Sequence, residues 1–72
     1  MATLGKRLRE LREAQHLTRE ELGSRLGVTG TTIYRYEHGE RDPDIARIES
    51  LAAELKVEPG EFFTESPLAG AR

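Results

Sequence analysis

Leu4, Leu8 and Leu11 recur at i, i+4 and i+7, the stripe of an amphipathic helix over about residues 3–15. Thr18-Arg19-Glu20-Glu21 follows with the form of a capping box, in which each of the two polar side chains accepts from the other residue's exposed backbone N–H. It opens a second helix with Leu22 and Leu26 inward, which Gly27 closes in a left-handed conformation. Thr29 caps a third helix with Ile33 and Tyr36 inward and Gly39 as its stop; Gly39 to Pro43 is a turn. Asp44 starts a fourth helix carrying Ile45, Ile48, Leu51, Ala52 and Leu55 at helical spacing. Pro59 suits the first position of a short fifth helix containing Phe62 and Phe63. No strand pattern competes. The expected class is all-α, a compact five-helix domain over residues 1–64 with a flexible tail over 65–72.

Composition narrows the chemistry. A chain of 72 residues allows one small domain, which buries only about 60% of the surface its unfolded form exposes. With no cysteine and only His16 and His38 as imidazoles, disulfides, thiolate nucleophiles and metal sites built on these ligands are excluded, and no metal or cofactor is expected. No apolar run approaches the roughly 18 residues of a membrane span, so the expectation is a soluble, cytoplasmic protein with no membrane partner.

The net charge of −2 speaks against a polyanionic partner until it is divided along the chain. Residues 1–36 carry seven basic against four acidic side chains, a balance of +3; residues 37–72 carry four against nine, a balance of −5. Fields act through local patches, so the basic half remains compatible with nucleic acid.

The second and third helices, joined by a turn of about three residues, have the geometry of a helix-turn-helix. Leu17-Thr18-Arg19-Glu20-Glu21-Leu22-Gly23-Ser24-Arg25-Leu26-Gly27-Val28-Thr29, then Thr31 to Gly39 and Pro43, resembles the phage-repressor and Cro-like helix-turn-helix family, also called XRE. The resemblance runs from about Leu4 to Phe63 and includes the Leu51-Ala52 pair, Leu55 and a closing aromatic. The chain resembles small stand-alone members such as Cro-like repressors and the controllers of restriction–modification systems. Gly23 falls where the two helices approach, a place where the family more often has Ala.

On the third helix, Ile33, Tyr36 and Glu37 share one side, while Thr31, Tyr34, Arg35 and His38 form an i, i+3, i+4, i+7 stripe nearly opposite. Hydroxyls, a methyl and a forked donor suit base edges in the major groove. The resemblance implies base contacts from Thr31 and Arg35, with Thr32 and Tyr34 beside them, and phosphate contacts from Arg19, Thr29, Arg41 and His38. Gly30 departs from the family's long polar residue, which removes one expected base contact and makes Arg35 the leading specificity residue. The resemblance also implies a buried ion pair between Arg12 and Glu37. Glu10 and Glu13 mimic a paired-acid site only on paper, since they lie on a helix face among arginines.

No nucleophile with a base, phosphate loop or metal cluster points to an enzyme. The expected function is a sequence-specific, double-stranded DNA-binding transcriptional regulator of bacterial or phage origin, a repressor or autoregulatory controller. It would bind a pseudo-palindromic operator as a homodimer, with Phe63, Leu55 and Val57 at the twofold interface. No small-molecule effector is expected, because no second domain offers a pocket. The alternative is a protein–protein module of the same fold, such as an antitoxin or bridging factor, which the net negative charge and Gly30 keep open.

Overall fold

The helices start where side chains can receive their first free N–H groups. In the computed structural model, which describes residues 3–63, α1 spans Thr3–Ala14, α2 Arg19–Leu26, α3 Gly30–Glu37 and α4 Ile45–Leu55. Thr18 Oγ1 accepts from the Glu21 N–H at 3.0 Å and the Thr18 N–H donates to Glu21 Oε1 at 2.8 Å, completing the capping box. Thr29 and Asp44 cap α3 and α4 in the same manner, accepting from the N–H groups of Thr32 and Arg47. Gly27 ends α2 at φ 76°, a left-handed conformation that a Cβ resists.

The fifth element is a 3-10 helix, Pro59–Phe63, rather than an α-helix. The N–H of Glu61 reaches the carbonyl of Glu58, three residues back, which is the tighter hydrogen-bond step common in short helical pieces. The described residues thus form four α-helices and one 3-10 turn, all helical, with no strand. The tail expected over 65–72 lies outside the described residues.

Leu8, Leu22, Ile33, Leu51, Leu55 and Phe62 are completely buried, with Tyr36, Ile48 and Ala52 nearly so. Leu4, Leu11, Leu17, Leu26, Val28 and Val57 pack around them half-buried. Each completely buried aliphatic or aromatic side chain contributes about 1.5–3 kcal/mol relative to solvent exposure. Two expectations need correction. Ile45 does not join the α4 stripe; as the first residue of the helix it projects past the core and is 69% exposed. Leu55 is fully enclosed by the core, so it cannot form part of a surface patch.

α3 packs against both α2 and α1, and the 3-10 segment closes over α1 and α4. Gly5 permits the approach of α1 to α3, because a Cβ there would stand 2.7 Å from the Tyr36 carbonyl oxygen, against backbone that cannot swing aside. Arg7 clasps the 3-10 segment: Nε donates to the Glu61 carbonyl at 3.1 Å and Nη2 pairs with Glu61 Oε1 at 3.0 Å.

Gly5→Ala should therefore destabilise the domain by about 1–3 kcal/mol through overpacking, despite the roughly 1 kcal/mol that Ala adds in helix propensity. Denaturant midpoints will show it, with Gly60→Ala, where a Cβ meets nothing within 4 Å, as the unaffected control.

Candidate nucleic-acid interface

The turn between α2 and α3 is set by two glycines. Gly27 reverses the chain, and the Val28 N–H returns to the Gly23 carbonyl at 2.9 Å. Gly23 then lies directly under the returning backbone: a Cβ would be 2.7 Å from the Val28 oxygen and 2.9 Å from the Thr29 carbonyl. The close approach involves the turn backbone at the entrance to α3, and it leaves no room for the alanine common at this place in the family that the sequence resembles.

α3 is oriented by one carboxylate. The Glu37 side chain is 1% exposed and accepts from two guanidinium groups on different helices. Arg12 of α1 donates through Nε to Oε2 at 2.6 Å and through Nη2 to Oε1 at 3.4 Å. Its Nη1 donates to the Leu17 carbonyl at 2.7 Å, which fixes the connection into α2. Arg19, the first residue of α2, donates through Nε to Glu37 Oε1 at 2.9 Å. No buried side-chain polar atom among the described residues lacks a partner. The sequence pointed to the Arg12 partner; the second one, Arg19, it did not.

With Glu37 drawn inward, Thr31, Tyr34, Arg35 and His38 line one exposed face of α3. The Arg35 guanidinium makes no hydrogen bond or ion pair among the described residues, whereas Tyr34 and His38 stack with ring centroids 4.0 Å apart. Arg19 Cζ lies 5.1 Å from the Tyr34 ring centroid. Thr32 is half-buried and shares a hydroxyl–hydroxyl hydrogen bond of 3.2 Å with Thr29, whose oxygen also caps the helix. Both threonines thus have local work that Thr31 does not. Arg41 is exposed just beyond α3, where its N–H folds back onto the Arg35 carbonyl. At Gly30, half-buried, the space a Cβ would take is bordered by the Glu20 carboxylate, with Oε2 at 3.0 Å.

The remaining acidic residues of α1 belong to a solvated face. Arg9 hydrogen-bonds Glu13 at 3.0 Å and holds its carboxyl below the ordinary carboxylate range, opposite to the direction a general acid needs. Arg7 likewise pairs with Glu10. No group of three or more potential metal ligands occurs among the described residues, and none of their helices is long and apolar enough to cross a membrane.

The family model described as helix-turn-helix matches residues 8–62. The chain belongs to the helix-turn-helix family. This member is 35% identical over 65 residues to y4wC, an uncharacterized HTH-type transcriptional regulator of Sinorhizobium fredii, a match that covers 90% of this chain and 46% of that protein. It spans about half the length of the curated relatives it matches first. Among solved structures, the restriction-modification controller protein C.AhdI of Aeromonas hydrophila is 37% identical with a TM-score of 0.81, over 86% of this chain and 94% of the controller. The P22 c2 repressor, solved with a synthetic operator, has a TM-score of 0.79 over the same shares at 24% identity, a likeness of fold.

Outside the interface, Phe63 is 63% exposed while its neighbour Phe62 is fully buried, and Val57 is half-buried against the core. Of the three residues expected at a twofold interface, Phe63 alone presents a large apolar surface, and Leu55 presents none. Sequence reasoning missed Gly5, the Arg7 clasp and the bond from Arg47 Nη1 to the Leu26 carbonyl at 3.2 Å, which ties α4 to the end of α2. None of the three has a local sequence signal.

Glu37→Ala deprives Arg12, itself buried, of its buried carboxylate partner and should destabilise the domain by about 3–5 kcal/mol. At about 4–8 °C per kcal/mol for a domain of this size, a thermal scan should show a fall of more than about 12 °C.

Proposed function

We propose that this chain is a sequence-specific double-stranded DNA-binding transcriptional regulator that inserts α3 into the major groove and acts as a dimer on a pseudo-palindromic operator. The observation that carries this reading is the unengaged Arg35 guanidinium on an exposed polar face of a helix whose opposite side is locked to two neighbours. A rigidly held helix with a free forked donor can meet guanine O6 and N7 in a bidentate pair. Thr31 lies one turn before it, suited to a thymine methyl. His38, Arg41 and the outer N–H groups of Arg19 meet the phosphate backbone, with Thr29 at the helix entrance. Such contacts set register, and the base edges supply specificity. The relatives named as transcriptional regulators, and the fold shared with an operator-bound repressor, support the same reading.

One recognition helix spans only a few base pairs, and a twofold partner doubles the site read. Phe63 supplies the apolar centre of that contact, with Val57 beside it at the edge of the core. The 3-10 segment that carries Phe63 is held to α1 by Arg7, so the surface is presented on a fixed frame.

Arg35→Ala should weaken binding to a selected operator by about 1–3 kcal/mol per half-site and weaken binding to a scrambled duplex far less. Affinities for both duplexes over a salt series test this; equal losses on the two would transfer the reading role to Thr31, Thr32 and Tyr34. Phe63→Ser should lower self-association in sedimentation while keeping the helical spectrum. A wild-type chain that remains monomeric at high micromolar concentration, free and on DNA, refutes the dimer.

A further inference from the structure

Arg19 does more than a phosphate anchor requires. An anchor needs only a cation within reach of the backbone, yet the Arg19 Nε is committed to a carboxylate that is 1% exposed. With that bond made, the guanidinium lies against the Tyr34 ring, 5.1 Å from centroid to Cζ, and Tyr34 in turn stacks on His38 at 4.0 Å with the planes tilted by 31°. The three groups form a column that starts at the first residue of α2 and runs along the exposed face of α3 to its C-cap. Its base is doubly fixed, since Glu37 is also held by Arg12.

We propose that Arg19 is a positioning residue for base reading, fixing the Tyr34–His38 ring pair on the exposed face of α3 through its stack on Tyr34 and its bond to Glu37. The proposal rests on the DNA-binding reading above. A tyrosine on a helix has two accessible χ1 wells, which point its ring to different places along the groove. Contacts with Arg19 and with His38 together select one of them before DNA arrives. That removes an ordering cost from the complex and gives the ring a single footprint. Lysine keeps the charge but loses the planar, forked group that stacks and donates sideways at once.

The test is a double-mutant comparison of the ratio between cognate and scrambled affinities. Arg19→Lys should lower that ratio about 2- to 5-fold per half-site, the scale of one exposed cation–π contact. The same loss is expected in a Tyr34→Phe background, which keeps the ring. In a Tyr34→Ala background, Arg19→Lys should have no further effect. A charge acting only on phosphate would lower both affinities together and be indifferent to the residue at 34. An unchanged ratio in Arg19→Lys, or an equal loss with Ala at 34, overturns the proposal. A wild-type chain with no preference among duplexes overturns the DNA-reading assignment along with it, while a wild-type preference that Arg19→Lys leaves undiminished overturns the proposal alone. Should Arg19→Lys lose its helical spectrum, Arg19→Gln, which can still donate to Glu37, provides the same comparison.

Discussion

A single buried carboxylate determines how this domain is assembled. Hydrophobic burial brings α1, α2 and α3 together, but it is non-directional and leaves the angles between helices loosely specified. Glu37 supplies direction. It sits on α3 and accepts from α1 through Arg12 and from α2 through Arg19, while Arg12 also holds the connection between those helices at Leu17. Taking a carboxylate from water is expensive, and a net gain over an apolar substitute is not assured. The two guanidiniums meet the charge in the native arrangement, and a packing of the same apolar surfaces that drew them away would leave a buried carboxylate unpaired.

That arrangement also divides the sides of α3. With Ile33, Tyr36 and the Glu37 carboxylate facing inward, the stripe nearly opposite their common direction turns outward, and there lie Thr31, Tyr34, Arg35 and His38. The molecule's net charge of −2 becomes secondary once this geometry is in place. Basic side chains at Arg35 and Arg41 stand on or next to the exposed face of α3, and the acidic excess belongs to the second half of the chain. The 3-10 segment, clasped by Arg7, closes the opposite end of the core with Phe62 and leaves Phe63 outside.

Sequence legibility follows the range of each interaction. Thr18, Thr29 and Asp44 could be read as caps because their acceptors serve N–H groups three residues on, and Gly27 as a stop because its conformation is a local property. The α4 stripe was legible from Ile48 to Leu55, but periodicity does not say where the core ends, so it could not place Ile45 outside. Nor could it assign Leu55 to the centre instead of a flank, since a heptad position says which way a side chain points and not what lies beyond it. The fifth element was legible as a helix start at Pro59, whereas its 3-10 form depends on how few residues remain before the core closes. The Arg12 partner of Glu37 came from family resemblance. Arg19 was legible only as a charge at a helix N-terminus, because its bond to Glu37 and its stack on Tyr34 exist only after α2 and α3 have docked.

Three glycines that look alike in the sequence show how unevenly this scaffold tolerates change. At Gly5 and Gly23 the space for a Cβ is taken by carbonyl groups of the chain itself, Tyr36 in one case and Val28 and Thr29 in the other. That backbone lies at the entrance and at the end of α3 and cannot yield without moving the helix, so both positions are closed by the fold. At Gly30 the nearest atoms belong to the end of the Glu20 side chain, which can rotate away into solvent. The first residue of α3 is therefore open to substitution while its frame is not. Gly30 presents no side chain of its own, and the next exposed side chains of the helix after Thr31 are Tyr34 and Arg35, about one turn along. Tyr34 and Arg35 lie within one turn of Glu37, so in the proposed DNA-binding role the part of α3 left to meet base edges is the part that the buried carboxylate ties to α1 and α2.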